Sequence, residues 1–168
     1  MVELREVLEM ELTHINEQGR AKMVDVSEKD ITIRVAEAIG YVYVNEHTFQ
    51  LIKEGGHKKG DVLGTAQIAG IMAAKRTSDL IPMCHTILLT GVDISFALEE
   101  DTHRIVIRST VKCEGMTGVE MEALTAVSVA GLTIYDMCKA VQKDIHIEGI
   151  KLLQKKGGKS GEWHADGE

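Results

Sequence analysis

A chain of 168 residues, 44% hydrophobic and 27% charged, can form one compact domain with a sizeable core, and its composition argues against a disordered or fibrous protein. The net charge of −7 opposes nucleic acid, whose binding is dominated by phosphate neutralisation. The longest uncharged apolar run, Ala123 to Tyr135, falls short of the roughly 20 residues a membrane span needs. The three cysteines, Cys84, Cys113 and Cys138, form no Cys-x-x-Cys pair and fit a reducing cytosol better than a disulfide scaffold.

The opening MVELREVLEMEL has apolar residues at helical spacing and acids throughout, so it reads as a short helix and not as a secretory leader. Ile31 to Val44 is rich in β-branched and aromatic residues and predicts a strand. Asn45 is placed to cap a short helix through Lys53, ended by Gly55-Gly56. HKKGD (57–61) is a loop, and Gly64 to Arg76 reads as a helix of small residues. Val92, Ile94, Phe96 and Leu98 alternate, as do Ile105, Ile107 and Val111, with EEDTH as the turn of a β-hairpin. A long helix is expected over about Thr117 to Gln142, with Thr117 and Glu120 spaced as a capping box. Ile145 to Leu153 predicts a last strand. No linker or repeat divides the chain, so residues 1–168 are expected to form a single domain, with 1–11 and 156–168 as candidate mobile ends. Strands and helices do not alternate regularly, which selects an α+β fold, an antiparallel sheet with helices on one face.

The long helix carries only Glu122, Asp136 and Lys139 as charges between Met121 and Ala140. A helix apolar nearly all round is buried on more than one side, and in so small a domain that points to a subunit interface. Gly131, unfavourable by about 1 kcal/mol in a helix, would suit close approach of another backbone.

Local basic clusters on an acidic chain, HKKGD, Lys75-Arg76 and Lys139 with Lys143, suit a small anionic ligand; the plainer reading is solvated surface charge. In DLIPMCHTILLT (79–90), Cys84 and His85 are adjacent, so in extended chain they point to opposite faces and poorly share one metal. No further Cys or His stands at zinc-like spacing. Cys84 reads as a core residue, or as a nucleophile only if the fold brings a histidine to it. Asp136 and Lys139 share a helix face, as do Lys139 and Lys143. Glu120 has a structural use in the capping box, whereas Glu122 on the apolar stretch has none. Glu122 and Asp136 lie about 21 Å apart along one helix with an angular offset of about 40°. They are too distant for one compact cluster in one subunit, so a site containing both is long or shared between chains. GGKSG (157–161) hints at a phosphate loop but lacks its leading glycine, since Leu153 stands there, and too little chain follows for the helix.

LTHIN (12–16), MVDVS (23–27), HKKGDV (57–62), AGIMAAKRTSDLIPMCH (69–85), GVEMEALTAVSVAGLTIYDMCKAVQKD (118–144) and GGKSG together resemble the MoaC family, molybdenum cofactor biosynthesis protein C, over nearly the whole chain. The resemblance implies a ferredoxin-like subunit in a cytoplasmic homohexamer, a trimer of dimers with active sites between subunits. It implies a lyase acting on a cyclised dihydroguanosine triphosphate, a small-molecule triphosphate, to give cyclic pyranopterin monophosphate and pyrophosphate. No metal, cofactor, nucleic acid or membrane is called for. By position, Asp136, Lys59 and Lys139 match catalytic residues. Met83, Cys84 and His85 match one substrate-contacting segment, Met121 and Glu122 another, and Arg34, Lys75 and Glu120 further pocket residues. Thr86 stands where the family often has proline. Read this way, MCH holds substrate, and Cys84 is neither metal ligand nor nucleophile.

Overall fold

The computed structural model describes residues 14, 16, 18–55 and 60–165. The opening predicted helix and most of the 57–61 loop, Lys59 included, lie outside them. Strand β1 (Thr32–Tyr43) runs through the middle of the sheet. Helices α1 (Glu46–Lys53), α2 (Val62–Ala74) and the short α3 (Thr77–Leu80) follow, then the hairpin β2 (Leu89–Glu99) and β3 (Arg104–Gly115). Helix α4 (Glu120–Cys138), β4 (His146–Lys156) and the two-residue β5 (Trp163–His164) complete the order. The sheet is ordered β2-β3-β1-β4-β5 and every pairing is antiparallel. This is the ferredoxin-like α+β arrangement that the resemblance implies. Among the described residues no helix is long and apolar enough to cross a membrane.

The period of two in β1 divides its side chains between faces. Ala36, Ala38 and Val42 are fully buried against the helices, with Ile105, Ile107 and Val111 of β3 beside them. Tyr41 and Tyr43 take the opposite face, where Arg104 lies over the Tyr41 ring at 4.5 Å and His146 stacks on Tyr43 at 4.8 Å. Asn45 caps α1 as expected, its side chain accepting from the Thr48 amide at 2.8 Å. Asp61, not singled out as a cap from the sequence, does the same for α2 through the Gly64 amide at 2.9 Å. Helix α2 therefore starts at Val62, two residues early.

The capping box at Thr117 does not form. Helix α4 begins at Glu120, its flanking residue is Val119, and no side chain caps it. Val119 is only 1% exposed: the core needs an apolar side chain where a cap would have stood. Glu120 instead pairs with Lys155 of β4 at 3.2 Å.

Helix α4 is buried on two sides within one chain, by the sheet and by α2. The seam with α2 is tight. A Cβ on Gly70 would strike the Ile94 side chain and come within 2.9 Å of the Ala126 carbonyl oxygen. Gly131 likewise faces its own chain, with Ile147 at 3.3 Å and Ile107 at 3.6 Å from where a Cβ would stand. Its smallness serves this packing and is no sign of a neighbouring subunit. On these two helices the large apolar side chains left exposed are Ile68 and Met72 of α2 and, on α4, Leu132 and the less exposed Met121.

Candidate active site

Two loops and one helix end enclose a cavity of about 280 Å³. After α3 the chain passes Pro82 and runs irregularly through Met83, Cys84 and His85, which form one wall. The first turn of α4, Glu120 to Glu122, forms the second, approached through Thr117 and Gly118. Val24, Val26 and Lys29 supply the third. A single hydrogen bond ties two of these walls together: the His85 Nε2–H donates to the Val24 carbonyl at 2.7 Å. A carbonyl only accepts, so Nε2 carries the proton and Nδ1 is left as the other hydrogen-bonding atom of the ring.

Glu122 is the chemically distinctive group. It is 3% exposed, and burial pushes its carboxyl up to about 7, with its own backbone amide opposing and the Glu120 charge adding to the rise. A carboxyl titrating near neutrality can give or take a proton at working pH. Burial, and then the charge of Glu122, push the neighbouring Cys84 thiol up as well. That is opposite to the lowered value that favours a nucleophilic thiolate. Among the described residues no three His, Cys, Asp or Glu side chains group as a metal site.

Fourteen residues along α4 the surroundings differ. Asp136 and Lys139 form an ion pair at 2.7 Å, with side chains 64 and 53% exposed. The hydrogen bond from Lys139 to Asp136, with the attraction between their charges, raises the lysine's proton affinity. As the pair stands, Lys139 is an ammonium ion, suited to donating a proton or meeting an anion.

The positions picked out from the sequence thus separate. Met83, Cys84, His85, Glu120, Met121 and Glu122 line one cavity. Asp136 and Lys139 lie at the far end of α4. Arg34 faces an adjoining chamber, its Nε donating to the Gly115 carbonyl at 2.8 Å and its Nη2 to the Met116 carbonyl at 3.0 Å. Lys75, at the end of α2, is exposed on the surface. Lys59 lies outside the described residues.

The MoaC family model matches residues 23–158 of this chain. The chain belongs to the MoaC family. It is 62% identical over 152 residues to the cyclic pyranopterin monophosphate synthase of Thermoanaerobacter sp. (strain X514), covering 90% of this chain and 96% of that protein. The protein of the same name from Brevibacillus brevis is 58% identical over 154 residues, covering 92% of this chain and 96% of the relative. That of Peptoclostridium acidaminophilum is 57% identical over 157 residues, covering 94 and 99%.

Among the wall residues not singled out from the sequence are those of the third wall, and Lys155, which lies off the wall but pairs with Glu120 on it, was not singled out either. Val24 and Lys29 reach the cavity from a segment with no regular structure, where periodicity gives no signal. Lys155 sits on β4, 35 positions beyond Glu120 in sequence, and only the strand pairing brings it to that carboxylate.

Proposed function

We propose that this chain is a lyase of molybdenum cofactor biosynthesis, a cyclic pyranopterin monophosphate synthase. It converts cyclised dihydroguanosine triphosphate to cyclic pyranopterin monophosphate and releases pyrophosphate. The observation that carries this reading is the convergence of Met83–His85 and Glu120–Glu122 on one cavity, in a chain 57–62% identical to proteins of that name. His85 Nδ1 and the Glu122 carboxyl meet the ring portion of the substrate, and Glu122 exchanges a proton with it near neutral pH. Lys139, held as an ammonium by Asp136, acts as general acid and faces the developing negative charge, with Lys59 as its catalytic partner. Lys75 contributes charge at the rim.

These groups meet only if a second protomer covers the Asp136–Lys139 end. Leu132, one helical turn before Asp136 and 59% exposed, supports that cover, as do Ile68 and Met72. The assembly is a homohexamer, a trimer of dimers, working in the cytoplasm on a diffusible small molecule. The test is pyrophosphate release from the cyclised triphosphate by purified protein. Turnover that is lost in Lys139→Ala, with the melting temperature unchanged, supports the reading. Tight binding of the triphosphate with no turnover by the unmodified protein replaces it with a non-catalytic nucleotide- or pterin-binding module.

A further inference from the structure

Strand β4 would be an edge of the sheet were it not for β5, which is two residues long. The tail strand pairs only with Gln154 and Lys155, and the Ala165 amide donates to the Leu153 carbonyl at 2.8 Å. Protecting an edge would ask for cover along more of an 11-residue strand. What lies under the cover is more particular. The Lys155 ammonium pairs with Glu120 at 3.2 Å and donates to the Ser160 hydroxyl at 3.3 Å.

The strand register shows how the tail holds this lysine. Residues directly opposite on neighbouring strands share a face of the sheet. Lys155 stands opposite the buried Ala36, so it is on the helix side, and Trp163 opposite Lys155 is on that side too. The indole flanks the apolar stem of the lysine and limits where its ammonium can swing. Next to it Glu162 forms a lock, paired with Lys156 at 2.8 Å and accepting from the His164 Nε2–H at 2.6 Å. The intervening loop, 157–161, is anchored at its start on β1, where a Cβ on Gly157 would strike the Ile33 carbonyl and one on Gly158 the Arg34 guanidinium. Its far end is tied by β5, which sets where Ser160 meets Lys155.

We infer that β5 is a positioning strap: Trp163, locked in place by Glu162, holds the Lys155 ammonium on Glu120, two residues from Glu122. Trp163 and Glu162 act through Lys155 and are positioning residues. For its use in catalysis the strap rests on the proposed function. The charge of Glu120 is one of the causes that raise the Glu122 carboxyl, and Lys155 counters that charge. The other titratable groups about Glu122 belong to other segments: His14, Lys29, Cys84 and His85 on the cavity walls and Cys113 of β3. Releasing the strap lets Lys155 withdraw into water, so Glu120 acts more fully and Glu122 titrates higher.

Chemical unfolding across pH reads this without any turnover. Stability falls from about pH 4.5 to about 7 as Glu122 gives up its extra proton. Lys155→Met moves the upper end of that fall upward by about one pH unit, and Trp163→Ala by about half a unit. Trp163→Phe, which keeps a ring beside the lysine, stays close to the unmodified protein, as does Lys53→Ala, whose lysine pairs with Glu100 elsewhere. Each change is repeated in a Glu122→Gln chain, where the movement disappears; this cancels His164 and every other titrating group. A tail that only adds stability gives a uniform loss at all pH values. That uniform loss in Trp163→Ala, no movement in Lys155→Met, or movement that persists without the Glu122 carboxyl overturns the strap. With the cyclised triphosphate, the kcat–pH profile of Trp163→Ala shifts in the same direction. Turnover with an unmoved unfolding profile removes the strap alone, whereas a moved profile without turnover removes the proposed function and leaves the strap.

Discussion

The two ends of α4 carry similar chemistry in opposite surroundings. At the first turn Glu122 is 3% exposed and enclosed by residues from two other segments. At the last turn Asp136 and Lys139 form an ion pair with side chains 64 and 53% exposed. Enclosure moves the Glu122 carboxyl to about 7, while the open pair makes Lys139 a firmer cation. The contrast teaches that burial, more than residue type, sets the chemistry of each end: one is enclosed within its own chain and the other is open to solvent. The proposed sharing of the site between protomers would give the open end walls that exclude water and strengthen its charges.

The sharpest way to break this contrast is to remove one end at a time. Lys139→Ala should lower turnover by about a thousandfold with the melting temperature unmoved, since the lysine is on the surface. His85→Ala should also inactivate. If the two ends of one site come from different protomers, subunits of the two variants mixed after dissociation regain about a quarter of full activity, as random pairing restores one site in half of the dimers. No recovery, with hybrids confirmed, places both ends in one chain.

A smaller effect tests the rigidity of the enclosed end. Gly70→Leu should destabilise by about 3 kcal/mol, read from the denaturant midpoint, because a side chain there overpacks the α2–α4 seam. The proton balance of Glu122 comes next. Its carboxyl lies near 4.5 when unfolded and about 7 when folded, so the native state binds the extra proton between those values. The stability this confers is full below about pH 4.5, falls as pH rises to about 7 and is level above. Glu122→Gln should flatten that slope and gain about 2 kcal/mol at pH 8, measured by chemical unfolding across pH. The smallest expected change lies far from the cavity, where Asn45→Ala should cost about 1 kcal/mol by loss of the α1 cap.

Much of the fold was legible because its signals are local. The alternation in 92–111 gives the hairpin, and Asn45 with Gly55 gives both ends of α1. The misreadings arise where the core overrides a local signal. Thr117 and Glu120 have capping-box spacing, yet the buried Val119 takes the flanking place. Gly131 looks like an intersubunit contact until Ile147 is found against it. Half of the cavity was visible as MCH and the Glu120–Glu122 turn, matched by resemblance. That Arg34 belongs with Gly157 and Gly158 was not, since strand pairing alone brings residues more than 120 positions apart into contact.

The Gly70 seam also acts as a spacer. Helix α2 leads through α3 into Met83–His85, and α4 begins at Glu120, so the gap between the two walls is set by how closely these helices lie. An engineer wishing to admit a bulkier heterocycle would gain more by widening that crossing, with a shorter residue at Ile94 to make room, than by trimming the residues that touch the guest.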